Sequence, residues 1–321
     1  MSDNVRGALS LVGVLVAAIS GVALYALWNL PKAWHIILPM RLTTAGAFLV
    51  AAAAVGCATV VFHTITQNTI LTPSLLGFDA LYMLINTVLV YTLGATALLR
   101  TDHLGFYFLT VTLMVVFALV LFAPLVLRPR VSIDALLLIG VTFGLLIRSI
   151  TMLLQRLLDP RAHMILADTF FASFETVDLQ ELVVSALVVS VTALGLWLSR
   201  HHLNVLSLGR DRAVVLGLRY RRAVIGAITA IAVLMAVATE LVGPLMFLGL
   251  IVAHIAYALC GSMRHTWTIP VATVVGCALL SWGQFLLDRL LNDDTPVSVI
   301  IEFFGGVLLL IMLVKRRRKV A

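Results

Sequence analysis

Lysine is nearly missing from this 321-residue chain, and charge of either sign is scarce. Its only lysines are Lys32, Lys315 and Lys319, and none follows a glycine. A Walker A loop needs Gly-Lys-Ser/Thr to cradle phosphates, so no such loop exists here. If ATP drives this protein, a partner binds the nucleotide. Charged residues make up 12% of the chain against 62% hydrophobic, with a mean hydropathy of +1.11. A soluble domain carries about 25% charged residues, so that class is excluded. The three cysteines, Cys57, Cys260 and Cys277, lie in apolar runs without metal-ligand spacing and read as small buried hydrophobes. HExxH pairs, GxSxG elbows and clustered carboxylates are also lacking, which counts against a membrane enzyme. No metal ligand, cofactor or catalytic residue is read from the sequence.

What the chain does have is long apolar runs. A membrane-crossing helix needs roughly 20 apolar residues. By that measure spans fall near Ala8–Trp28, Leu42–Phe62, Ser74–Leu99, Phe106–Leu127 and Ile133–Leu154. Others fall near Leu182–Leu198, Ala223–Leu241, Leu245–Cys260, Thr268–Leu287 and Val297–Val314, about ten in all. The first run is read as a span and not a signal peptide, because no small-residue cleavage site precedes the next one. The Ser74–Leu99 stretch is long enough to hide a break at Gly94. The whole chain, 1–321, reads as one all-α polytopic membrane domain, with some helices short or broken.

The net charge of +7 is concentrated in two blocks, Arg200–Arg222 and Lys315–Lys319. Beside apolar spans such blocks mark the cytoplasmic face and do not point to nucleic acid. An even span count with a KRRRK tail puts both termini in the cytoplasm. The stretch Gln155–Glu181 and the Asp293-Asp294 turn, rich in acids, then fall on the opposite side. Asp79, Asn86, Arg148, Gln284 and Glu302 interrupt the apolar runs, and each is expected to face protein or a watery path, since hydrocarbon would penalise it. Two segments, Thr66–Gly77 and Val242–Leu250, place proline and glycine where a helix would break, in comparable positions of the two halves.

Residues Ser199–Arg222 form the least membrane-like stretch. Six arginines, at 200, 210, 212, 219, 221 and 222, alternate with Leu203, Val205, Leu206, Leu208, Val214, Leu216 and Leu218. Gly209 and Gly217 punctuate it, so it reads as two short helical pieces separated by a turn. Two readings stay open: an anchoring loop that satisfies the positive-inside rule, or a docking surface.

The wording L-S-L-G-x-x-x-A-x-x-L-G-L at 206–218 resembles the coupling loop of permeases in the iron-siderophore and vitamin B12 (FecCD-type) class of ABC importers. Gln67-Asn68 through Pro73 and Leu76-Gly77, and Val242–Val252, are similar to two further signatures of that family. In these segments Thr69 and Ala253 replace prolines, and Tyr257 stands where arginine is common. Gln155–Pro160, Phe171–Phe174 and Glu302–Gly306 resemble the subgroup that imports ferric catecholate siderophores. The resemblance implies a type II ABC importer permease in the bacterial inner membrane, itself no enzyme. It implies an ATP-binding subunit, a second and similar permease, and a periplasmic or lipid-anchored siderophore-binding protein as partners.

It also implies a coupling surface about 200–222 built on Leu208, Gly209, Arg210, Ala213, Leu216 and Gly217, with Ala213 packing against a groove in the ATPase. It places Arg41 and Arg289 where binding-protein glutamates dock. His254 reads as a packed histidine, with no second ligand near it in the sequence. The alternative is a self-contained secondary transporter of a small solute, coupled through Asp79, Arg148 or Glu302.

Overall fold

A computed structural model describes residues 3–74, 77–94, 103–127, 133–169, 172–174, 177–291 and 296–320. The described residues are helical with short connections. In chain order the helices are α1 (Asp3–Leu27), α2 (Trp34–Thr66), α3 (Phe78–Leu93), α4 (His103–Leu127), α5 (Ile133–Arg156), α6 (Pro160–Thr169) and α7 (Leu179–Leu198). They continue as α8 (Arg200–Leu206), α9 (Arg210–Val215), α10 (Tyr220–Val242), α11 (Leu248–Cys260), α12 (His265–Phe285), a π-helical turn (Leu286–Leu291) and α13 (Val297–Val320). Seven are long and apolar enough to cross a membrane, and α3, α11 and α13 supply three shorter apolar stretches. These ten coincide with the runs read from the sequence. The suspected break is there too, since α3 ends at Gly94 with φ +81°.

Helix α2 is the mast. Its 33 residues make it about 50 Å long, well beyond a hydrocarbon core of about 30 Å. Of its most apolar stretch 83% is buried, against 22% for α4, α5 and α7, so the others wrap around it. Small side chains allow this, because lipid offers no hydrophobic force between helices and close packing must hold them. A Cβ on Gly56 would sit 3.2 Å from the Ala272 backbone, and one on Gly276 would sit 2.9 Å from Ala52 Cβ. Thus α2 and α12 touch almost backbone to backbone. Gly249 of α11 packs on Thr59 of α2 in the same way.

Helix α1 lies outside α12, where the Trp282 indole donates to the Ala17 carbonyl at 2.9 Å. At its start Arg6 donates to the Ala258 and Leu259 carbonyls, both at 3.1 Å, near the end of α11.

The two proline-glycine segments meet inside the bundle. The Thr72 hydroxyl donates to the Met246 carbonyl at 3.5 Å. Helices α3 and α11, of 16 and 13 residues, both start from these interruptions and are too short to span alone. Gly77, with φ +101°, rests against Gly144 of α5.

One helix was not foreseen. The acidic stretch 155–181 contains α6, started by Asp159, whose carboxylate accepts from the Ala162 amide at 2.8 Å, with Pro160 in the first turn. Ala162 and Leu166 then pack on Val90 of α3.

Helix contact through Gly56 sets a testable stability. Gly56→Leu should lower the thermal midpoint of the detergent-solubilised protein by an overpacking penalty of about 1–3 kcal/mol. Gly13→Leu, at a site with nothing within 4 Å of a new Cβ, should melt like the parent. Equal midpoints for the two variants would contradict the α2–α12 contact.

Candidate functional site

The basic hairpin projects from the end of the bundle where α2 and α11 finish and α12 begins. Gly209 and Gly217, with φ +90° and +80°, turn the chain before and after α9. A Cβ at either would meet nothing within 4 Å, so backbone conformation and not crowding calls for glycine. The expected two short helical pieces are α8 and α9.

Side chains here divide into those that anchor and those that project. Asn204 is the main anchor. Its Oδ1 accepts from the His265 amide at 3.1 Å and lies 2.7 Å from His265 Nδ1. That oxygen is already an acceptor, so Nδ1 carries the ring proton and Nε2 accepts from the Thr64 hydroxyl at 2.7 Å. The chain Asn204–His265–Thr64 ties the hairpin to the start of α12 and the end of α2. Gln67 adds a bond from its amide to the Leu206 carbonyl at 3.4 Å. Arg200 stacks 4.1 Å over the Trp197 ring, and Arg210 lies 5.5 Å over Tyr220, so both hold aromatic rings at the spans' edge.

Ala213 requires a correction. It was expected to face a partner, but it is 0% exposed, packed within the hairpin, and its carbonyl accepts from the Leu218 amide at 3.0 Å. Smallness serves the hairpin's own closure. The projecting apolar residues are Leu208 (45% exposed), Val214, Val215 (87%) and Leu216 (61%). The sequence reading gave Val214 only as part of the hairpin's apolar pattern and did not single out Val215. At about 100° per residue, the two positions after an inward Ala213 must turn outward, and that signal was available.

At the opposite end Arg41 is also corrected. Docking needs a free guanidinium, yet Arg41 is 7% exposed and donates to the Ala26 and Trp28 carbonyls at 3.1 and 2.8 Å. It satisfies carbonyls that the last turn of α1 leaves open. The exposed cation of this turn is Lys32. Arg289 lies in the π-helical turn, and its side chain falls outside the described residues.

Three charged residues of the apolar helices come within electrostatic reach of one another. Asp79, in the first turn of α3, is 1% exposed, and neither carboxylate oxygen accepts a hydrogen bond. The Ser74 hydroxyl lies beside it without hydrogen-bonding geometry. Arg148 of α5 and Glu302 of α13 are within electrostatic reach, and both are exposed on this chain alone. Asn86 and Gln284 are buried, as expected of them. His254 has a neighbour the sequence did not reveal: His63 of α2, with ring centroids 6.0 Å apart, itself 3.0 Å from the Tyr257 hydroxyl. Among the described residues no three His, Cys, Asp or Glu side chains group as metal ligands would.

The comparisons with known proteins agree with this architecture. Residues 7–315 match the FecCD transport family. The chain is 35% identical over 307 residues to the petrobactin import system permease protein YclO of Bacillus subtilis, covering 96% of each. It is 31% identical to the ferric enterobactin transport system permease protein FepD of Escherichia coli, covering 84% of this chain and 79% of that one. A solved inward-facing metal-chelate type ABC transporter superposes with a TM-score of 0.81 at 19% identity, over 96% of this chain and 99% of that chain. The chain is therefore a multi-pass membrane permease and belongs to the FecCD transport family.

Proposed function

We propose that this chain is the permease subunit of an ATP-driven importer that carries a ferric siderophore across the bacterial inner membrane. The observation that carries the reading is the hairpin. An exposed apolar ridge, Leu208, Val214, Val215 and Leu216, stands among arginines and is bonded through Asn204 and His265 to α12 and α2. A loop that only satisfies charge bias needs no ridge and no such anchorage. The ridge fits an apolar groove on an ATPase subunit, with the arginines setting orientation and salt dependence. Closure of that subunit would push Asn204 and His265, and through them α12 and α2.

Two of the similar proteins are petrobactin import system permeases, which supports ferric petrobactin as the first cargo to assay. Both termini then lie in the cytoplasm with the hairpin. Arg148 and Glu302 stand exposed on spans where lipid would penalise them. A second permease covering the α5–α13 side would give them protein or water to face. The same trio could serve a secondary transporter, but family membership and the hairpin favour the importer. On the outer side a binding protein would dock over the α1–α2 turn, with Lys32 supplying charge, Arg41 holding the turn's shape, and Arg289 a further candidate.

Two outcomes test this. Val215→Asp should leave the permease inserted yet weaken retention of the co-expressed ATPase by about tenfold or more, as truncated interface anchors do. Gly217→Val should act similarly through its positive φ. His265→Ala should keep the ATPase bound while uptake of radiolabelled ferric petrobactin per ATP hydrolysed falls. Full ATPase retention in Val215→Asp and Gly217→Val would move the coupling surface elsewhere.

At the outer turn, Lys32→Ala should weaken binding-protein docking only slightly, since an exposed pair contributes about 0–1 kcal/mol. Lys32→Glu should weaken it more, and an acid-to-lysine change on the binding protein should restore it. Arg41→Ala should lower the thermal midpoint, which Lys32→Glu leaves unchanged. Unaltered docking in Lys32→Glu would remove Lys32 from the interface.

A further inference from the structure

Behind the hairpin a cleft of about 850 Å³ opens between the end of α7, α8 and the start of α10. Its mouth is basic: His202, Arg219 and Arg222 line it, all exposed, and no carboxylate does. Its floor is small and apolar, with Gly195 on α7 and Gly226 and Ala230 on α10. A Cβ on either glycine would meet nothing within 4 Å, so small residues here leave open space instead of closing a helix contact as at Gly56.

Depth decides what can enter. Ala230 lies ten residues into α10, about 15 Å along the helix axis, and Thr192 on the facing wall lies about 9 Å before the end of α7. Both positions are inside apolar spans. A soluble subunit seated on the hairpin has no reason to send polar backbone to that level. A phospholipid reaches it naturally, with its chain in the apolar floor and its phosphate at the basic mouth.

We propose that this cleft binds one anionic phospholipid, its phosphate between Arg219 and Arg222 and one acyl chain over Gly195, Gly226 and Ala230. Leu216 and Gly217 form part of the cleft wall, so the lipid braces the hairpin from behind. Coupling then depends on the anionic content of the leaflet.

The test uses the full chain in detergent with nitroxide-labelled phosphatidylglycerol and equally labelled phosphatidylcholine, read as the motionally restricted fraction. The parent should hold phosphatidylglycerol in preference. Arg219→Gln and Arg222→Gln should each cut that preference roughly fivefold, following the attraction of a basic residue to an anionic surface. Gly226→Leu, and independently Gly195→Leu, should fill the floor and release both lipids while the thermal midpoint stays at the parent value. No preference in the parent, or parent-like retention in both leucine variants, overturns the proposal. Displacement by inorganic phosphate would make this a phosphate site without a chain. Displacement by added ATPase would assign the cleft to that subunit. No arm reads transport, so the cargo assignment and the lipid site can fail separately.

Discussion

The near contact of the α2 and α12 backbones is the constraint on which the rest of the bundle depends. Between helices in lipid the attraction is mostly van der Waals packing, which strengthens steeply as the axes approach. The alanine run of α2 and its Gly56, facing Ala272 and Gly276 of α12, make that approach possible. A helix so enclosed is also a wall. The irregular backbone at Gln67–Ser74 and Gly243–Phe247 lies beside it, shielded from hydrocarbon, where unpaired amides and carbonyls would be penalised by several kcal/mol each. The short helices α3 and α11 start there because the mast has already removed lipid from that depth.

The same enclosure sets apart the faces that are not enclosed. Asp79 sits buried at the start of α3 with no hydrogen bond to either oxygen, while Arg148 and Glu302 stand exposed nearby. The helix terminus offers Asp79 partial positive charge, and Arg148 offers a whole one. That arrangement makes sense only if the α5–α13 side meets something polar. Those exposed charges are what the second permease of the proposed importer would cover.

Much of the fold was legible because membranes simplify the code. Ten apolar runs gave ten apolar helices, and glycine placement gave the break at Gly94 and the two-piece hairpin. What escaped depended on direction and not on composition. Nothing in the sequence says that the guanidinium of Arg41 turns back to the end of α1, leaving Lys32 as the exposed cation. Ala213 matched a family pattern, yet its size serves packing within the chain, and the outward side chains are the valines after it. Helix α6 was hidden by its acidic surroundings, although Asp159-Pro160 is a readable start signal. His63 and His254, nearly two hundred residues apart, meet because α11 lies across α2.

On the proposed reading, the hairpin would pass force into the bundle without a flexible joint. Its hydrogen bonds run from Asn204 through one imidazole to Thr64, so a single ring in one tautomer links three helices. A chain of hydrogen bonds transmits displacement well only if its ends cannot slip. Here Trp197 fixes one side, donating to the Thr266 carbonyl under the stacked Arg200, and the buried Leu203, Leu206 and Ala213 fix the other. Beside these contacts the cleft between α7 and α10 stays open, with Leu203 and Leu206 on its wall. A hairpin held at these anchors and open toward the cleft yields toward the opening when pushed, unless something fills it. If the ridge takes the push of an ATPase subunit, as proposed, an occupant of that cleft would determine how much of it reaches α2.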